Sequence, residues 1–97
     1  MIAHMVTFVW KDDAEVEGLG EALQSMAAGI PEIVFYRAGE NLRLRPGADF
    51  GVLAVVADEA ALAAYLDAPA HVEIVTTRIA PNAASRQAVQ LDVGDLV

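Results

Sequence analysis

Nine residues from Ile2 to Trp10 are apolar at every position except His4 and Thr7. A run so rich in β-branched and aromatic side chains, with no breaker before Lys11-Asp12-Asp13, predicts a strand. Alternation places Ile2, His4, Val6, Phe8 and Trp10 on one face and Ala3, Met5, Thr7 and Val9 on the other, so neither face is built for water. The period then changes. Val16, Leu19, Leu23, Met26 and Ile30 recur at steps of three and four, a helical stripe. Asp12 or Asp13 is placed to cap it, with Glu15 three after Asp12 as in a capping box. Gly18 and Gly20 each weaken a helix by about 1 kcal/mol relative to alanine, which marks close packing or local mobility at its outer end. Gly29 and Pro31 supply the stop.

A second strand is expected from Ile33 to about Leu42, then a loop over Arg43-Leu44-Arg45-Pro46-Gly47-Ala48 whose Pro-Gly pair signals a turn. Phe50 to Ala57 has no polar side chain and reads as a third strand, apolar on both faces. Asp58 caps a helix from Glu59 to about Ala68, with Leu62, Tyr65 and Leu66 on one stripe. Pro69 suits the first position of a new helix running through Val72, Val75 and Ile79 to Pro81. The fourth strand is expected from about Gln87 to Val93. The order β-α-β-β-α-α-β is that of an α+β, ferredoxin-like split βαβ fold, a four-stranded antiparallel sheet with its helices on one face. One such domain accounts for residues 1–97. A strand that is apolar on both faces must be covered twice, and the chain has helices for one side only. The other side is expected to meet a second copy, giving a homodimer joined through its sheet faces as a dimeric α+β barrel.

Composition strengthens that expectation. The 97 residues suit one domain, yet 56% are hydrophobic and the mean hydropathy is +0.41, rich for a chain whose small volume leaves much surface wet. Fourteen acidic against six basic residues give a net charge of −8, the wrong sign for nucleic acid or an anionic membrane surface. With no cysteine there is no disulfide framework, thiolate nucleophile or Cys-ligated zinc site. The two histidines and the carboxylates show no ligand pair at helical or hairpin spacing, so no metal site is expected. Nor is there a Gly-rich phosphate loop or a Ser-His-Asp set. The opening MIAHMVTFVW lacks a basic region and a cleavage site, and no apolar run reaches membrane-spanning length. A cytoplasmic protein is the expectation.

The candidate chemistry lies mainly in residues 65–71, YLDAPAH. His71 would be the third residue of its helix, where the positive end of the helix dipole favours a neutral ring. It is either a general base able to take a proton from a carbon flanked by carbonyls, or a ring that joins two helices through a backbone carbonyl. Tyr65 either orients that imidazole or polarises a carbonyl, or is a core aromatic. His4, between apolar neighbours on its own strand face, needs a polar partner and is either a pocket residue or a satisfied core histidine. Phe8, Trp10, Leu23, Leu62 and Val75 are the expected apolar lining of a pocket between sheet and helices. Phe35 and Tyr36 are aromatics that either line it or fill core and interface. Arg43 and Arg45 belong to a solvated loop or meet a carboxylate at the pocket mouth.

The stretches IAHMVTFVWK, GIPEI, AGENL and DEAALAAYLDAPAHVEIV together resemble the stress-responsive A/B barrel (Dabb) family, small dimeric α+β barrel proteins, over nearly the whole chain. The most specific parts are His4 and the Y-x-x-x-P-x-H pattern of Tyr65, Pro69 and His71; a histidine often precedes the proline in the family, where this chain has Ala68. A few members are polyketide cyclases that close a ring by an aldol step without a cofactor. The resemblance maps that machinery onto His71 as base, Tyr65 as its hydrogen-bonding neighbour and His4 as a pocket residue. Such a cyclase also takes a tyrosine from its first helix and a histidine from its third strand, where this chain has Leu23 and Gly51. The resemblance therefore implies a homodimer binding a small aromatic or polyketide-like molecule, with no cofactor. Its alternatives are a cofactor-independent cyclase or isomerase using His71, an oxygenase or haem-binding barrel by fold analogy, and a structural stress-protective protein.

Overall fold

The computed structural model describes residues 1–96. In chain order it contains β1 (Ile2–Trp10), α1 (Leu19–Ala28), β2 (Ile33–Glu40), β3 (Phe50–Val56), α2 (Glu59–Asp67), α3 (Pro69–Ile74), which runs on into one wide turn at Val75–Ile79, and β4 (Ala83–Asp92). The strands form one antiparallel sheet in the order β2-β3-β1-β4. The ferredoxin-like split βαβ arrangement is thus present. The two strands that are apolar on both faces, β1 and β3, take the centre, where only such strands can be covered above and below.

Register sorts the side chains. His4 pairs with Ala54 on β3 and with Gln90 on β4, while Phe8 pairs with Phe50 and Arg86; Tyr36 pairs with Ala54. Residues directly opposite share a face, so His4, Phe8, Tyr36, Arg86 and Gln90 all project toward the helices. The core forms on that side, from Val6, Phe8, Phe50, Val52, Ala54 and Val56 of the sheet against Leu19, Leu23 and Ala27 of α1, Tyr65 of α2 and Ile79. Leu19 and Leu23 are each 1% exposed, and burial of a leucine contributes about 1.5–3 kcal/mol. The opposite face is left open. Val9, Phe35, Val89 and Leu91 stand on it between 41% and 45% exposed.

Several element ends differ from the sequence expectation. α1 starts at Leu19, capped by neither Asp12 nor Asp13: Gly18 is its N-cap, at φ +74°, and no side chain caps it. The cause is tertiary. Asn82, just before β4, accepts from the Glu15 N–H (3.0 Å) and donates to the Arg78 carbonyl (2.8 Å), which holds the segment before α1 in turns. Gly20 does mark close packing: a Cβ there would come within 3.3 Å of the Ala38 carbonyl oxygen on β2. β2 ends at Glu40 rather than Leu42, since Asn41 turns to bond Ala48 and Asp49 across the loop. β4 begins at Ala83, four residues before Gln87, because Trp10 and Ala83 already pair.

At the other helices the local signals hold. The Asp58 carboxylate accepts from the Ala61 N–H at 2.8 Å. Ala68, before the proline, is extended at ψ 131°, and Pro69 opens α3, as steric pressure on a pre-proline residue requires. Beyond Ile74 the backbone widens: the Ala80 N–H reaches the Val75 carbonyl, five residues back, at 2.8 Å, a π turn.

Candidate functional site

Between the sheet and the α2–α3 corner lies a cavity of about 110 Å³. Val6 and Phe8 of β1, Val52 of β3, Leu23 of α1, and Val75 and Ile79 of the wide turn form its apolar walls. Five polar side chains also line it: His4, Tyr36, Tyr65, His71 and Arg86. Of the residues picked from sequence, His4, Tyr65, His71, Phe8, Leu23 and Val75 meet here. Trp10 and Leu62 do not. The Trp10 ring stacks on Phe8 at 5.3 Å, beyond the lining, and Leu62 packs against the core elsewhere. Leu23 faces the cavity, but Gly51 lies on the far face of the sheet, and the β3 residue that looks in is Val52. Arg43 is tied to Asp49 at 2.8 Å and Arg45 bonds the Leu44 carbonyl; neither lines the cavity.

Tyr65 is the hub. Its ring centroid lies 4.8 Å from His71, 6.1 Å from His4 and 6.3 Å from Tyr36, with edge-on geometry in each case. The His71 Nδ1 is 3.0 Å from the carbonyl oxygen of Leu66. That carbonyl belongs to the last turn of α2, where helix carbonyls lose their partners, and the corner at Pro69 frees it for the ring. A carbonyl only accepts, so Nδ1 carries the hydrogen, and the neutral ring keeps its lone pair on Nε2. Sequence reasoning set a helix tie against a basic nitrogen; the ring has one nitrogen for each.

His4 is arranged the other way. The Gln90 amide donates to its Nδ1 at 2.9 Å, which places the hydrogen of the neutral ring on Nε2. Burial first, then the charges of Arg86 and His71, hold its pKa below the ordinary 6.5, so the ring is neutral at physiological pH. The cavity thus contains one imidazole with a free basic nitrogen and one with a free N–H.

Two further polar residues line the cavity: Tyr36, which the sequence left open between lining and core, and Arg86, which it did not single out. Tyr36 is 7% exposed, and its hydroxyl is a buried group with no hydrogen-bond partner. Burial pushes its pKa far above the phenol range and Tyr65 raises it further. The neighbouring Tyr65 hydroxyl acts on it both through charge and through a side-chain contact, but the two hydroxyls do not meet in ordinary hydrogen-bond geometry, and the Tyr36 oxygen has no other partner. Tyr65 is also raised, chiefly by burial, with Tyr36 and Arg86 opposing the rise. Arg86 is exposed and lines the cavity, which puts it at the mouth. Among the described residues the one ion pair joins Arg43 to Asp49 and leaves Arg86 without a carboxylate. Strand parity could have decided between the two readings of Tyr36, whereas Arg86 lay in residues read as a connection, where no face could be assigned.

A wider hollow of about 900 Å³ lies between the start of α1 and the end of β2, lined by Glu17, Glu21, Arg37 and Glu40 among others. It is an open depression with no histidine or tyrosine, so the smaller, more enclosed cavity is the candidate site. Among the described residues no three His, Cys, Asp or Glu side chains converge as a metal site, and no helix is long and apolar enough to cross a membrane.

Comparison with known proteins agrees with this architecture. A family model described as Stress Responsive A/B Barrel Domain matches residues 2–93. An uncharacterised protein of Streptomyces coelicolor is 35% identical over 77 residues, 73% of this chain and 79% of its own length. A crystal structure of a dimeric ferredoxin-like protein from Thermobifida fusca superposes with a TM-score of 0.86 at 38% identity, covering 95% of this chain and 90% of that one. A hydroxynitrile lyase from Passiflora edulis shares the fold at 12% identity and a TM-score of 0.77, covering 99% and 95% of the two chains.

Proposed function

Since the chain belongs to the stress responsive A/B barrel (Dabb) family, we propose that it is a homodimer, joined through the open sheet faces, in which each subunit binds a small organic molecule in the cavity beside Tyr65. The observation that carries this reading is the company the cavity keeps: apolar walls with four aromatic polar rings converging on them, the usual composition of a ligand site. The apolar residues left exposed on the far side of the sheet, with the dimeric state of the Thermobifida relative, support the dimer. Size limits the ligand. A dry cavity of about 150 Å³ accommodates benzene; the enclosed volume here is smaller, about 110 Å³, so it suits a short chain or part of one small ring with the rest of the molecule at the open mouth, rather than a porphyrin or a fused polycycle.

The two histidines favour a second reading, in which the bound molecule reacts. A free Nε2 on His71 is set to accept a proton from a carbon next to a carbonyl, and the N–H of His4 is a donor for the oxygen on which negative charge then develops. Proton transfer of this kind underlies cyclase and isomerase chemistry and needs no cofactor. For binding, the test is NMR titration with small monocyclic carbonyl compounds: the His4 and His71 ring signals should move, and Val75→Phe, which fills the cavity, should abolish the movement. For reaction, His71→Ala should lower turnover of any substrate found by roughly 10²–10⁴-fold while the dimer persists. An unchanged rate would exclude the base role.

A further inference from the structure

Tyr36 and Arg86 reach the same cavity from opposite edges of the sheet. Tyr36 stands on β2 and Arg86 on β4, the two outer strands of the order β2-β3-β1-β4. Three strand spacings of about 4.8 Å, and the four residues along β4 between Gln90, which is level with Tyr36, and Arg86, separate their backbones by roughly 20 Å, yet both side chains line the one cavity. At the enclosed end is a buried hydroxyl that makes no hydrogen bond of ordinary geometry, with the Tyr65 side chain as its neighbour. At the mouth is a guanidinium without a carboxylate, in a chain where acidic residues outnumber basic ones by fourteen to six. Acidic groups are plentiful, yet among the described residues none forms an ion pair with this arginine. A buried unsatisfied hydroxyl is costly, and its retention beside an empty volume makes sense when a ligand atom completes it.

We propose that the cavity takes a small organic acid, its carboxylate paired with Arg86 at the mouth and a second oxygen, hydroxyl or ketone, bonded to the Tyr36 hydroxyl inside. The proposal rests on the reading of the cavity as a ligand site and adds the chemical class of the ligand. Arg86 is suited to the role because a guanidinium grips a carboxylate through two parallel N–H donors. It projects on the helix side of the sheet, so a dimer formed through the opposite face leaves it available. The volume confines the enclosed part of the ligand to part of one ring or a few carbons, and the carboxylate remains at the opening, where its hydration is only partly lost.

The test is calorimetric and NMR titration of the full chain with 4-hydroxybenzoate, its neutral amide 4-hydroxybenzamide, and benzoate as the probe without the second oxygen. The acid should bind about tenfold or more tightly than the amide, as expected for one charge-assisted pair. Arg86→Gln should erase that preference, bringing the affinity for the acid down to that for the amide. Tyr36→Phe should instead erase the preference for 4-hydroxybenzoate over benzoate. Both variants keep the fold, since one changes an exposed side chain and the other removes a single oxygen. Equal binding of acid and amide to the unaltered protein, or a preference for acid that survives Arg86→Gln, overturns the anionic class but leaves the cavity as a ligand site. If none of the probes binds and the His4 and His71 signals stay still, both readings fail together.

Discussion

Gln90 donates its side-chain amide to His4 Nδ1 at 2.9 Å across the β1–β4 ladder, between residues that stand directly opposite. Register therefore sets a tautomer: a strand pairing fixes which nitrogen of a buried imidazole holds the hydrogen. The same ladder leaves His4 little exchange with water, since the ring is 3% exposed.

Gln90→Leu should unpin that tautomer. Long-range nitrogen–proton NMR spectra should show His4 with its hydrogen on Nε2 in the unaltered protein and a mixture of both forms in the variant. An unchanged spectrum would mean that burial alone selects the form.

Stability should depend on pH through His4. Its folded pKa lies below the ordinary 6.5 because of burial, Arg86 and His71. Below pH 6.5 the unfolded chain takes up a proton that the folded chain refuses, so stability should fall as pH drops from 6.5 to the depressed folded value and then level off. Urea midpoints measured across that window should show a drop that His4→Gln lacks.

Tyr36→Phe should raise the free energy of unfolding by roughly 1–2 kcal/mol, because it removes a buried hydroxyl with no partner. Urea denaturation of the ligand-free protein checks this. A loss of stability would show that the hydroxyl is satisfied after all.

The helix starts should respond unequally to alanine. Asp58→Ala removes the only side-chain bond at the start of α2 and should cost about 1 kcal/mol. Gly18→Ala places a Cβ at φ +74° and should cost about 1–2 kcal/mol, although no atom lies within 4 Å of that Cβ. Denaturation curves of the two variants separate a lost cap from backbone strain.

A charge on the open sheet face should dissociate the proposed dimer. Leu91→Glu replaces an apolar side chain that is 45% exposed, and its burial unpaired against a second copy would be unfavourable. Sedimentation should show a protomer where the unaltered protein sediments as a dimer.

Much of this molecule is readable from the chain because its signals are local. β1 runs from Ile2 to Trp10, where charged residues stop an apolar alternation; Asp58 and Pro69 open their helices through bonds and sterics that span a few residues. What escaped was written elsewhere in the chain. The start of α1 depends on Asn82, more than sixty residues away. The first residues of β4, Ala-Ala-Ser-Arg, carry no strand signal of their own and are extended because β1 pairs with them. That hid Arg86, and with it the charge at the cavity mouth. Trp10 shows the opposite error: alternation gave its face correctly, but it stands at the strand's end, past the hollow it was expected to line.

The five-residue hydrogen bond that closes Val75–Ile79 has a geometric effect on the cavity. His71, Val75 and Ile79 are spaced four apart, and all three line the cavity. Four residues overshoot one turn of an α-helix of about 3.6 residues, but they fall short of a turn wide enough for an i→i+5 bond. The two angular errors have opposite signs and cancel. One surplus residue thus keeps a stack of three side chains pointing along a single bearing, where an unbroken regular helix would have let the third drift away from the sheet.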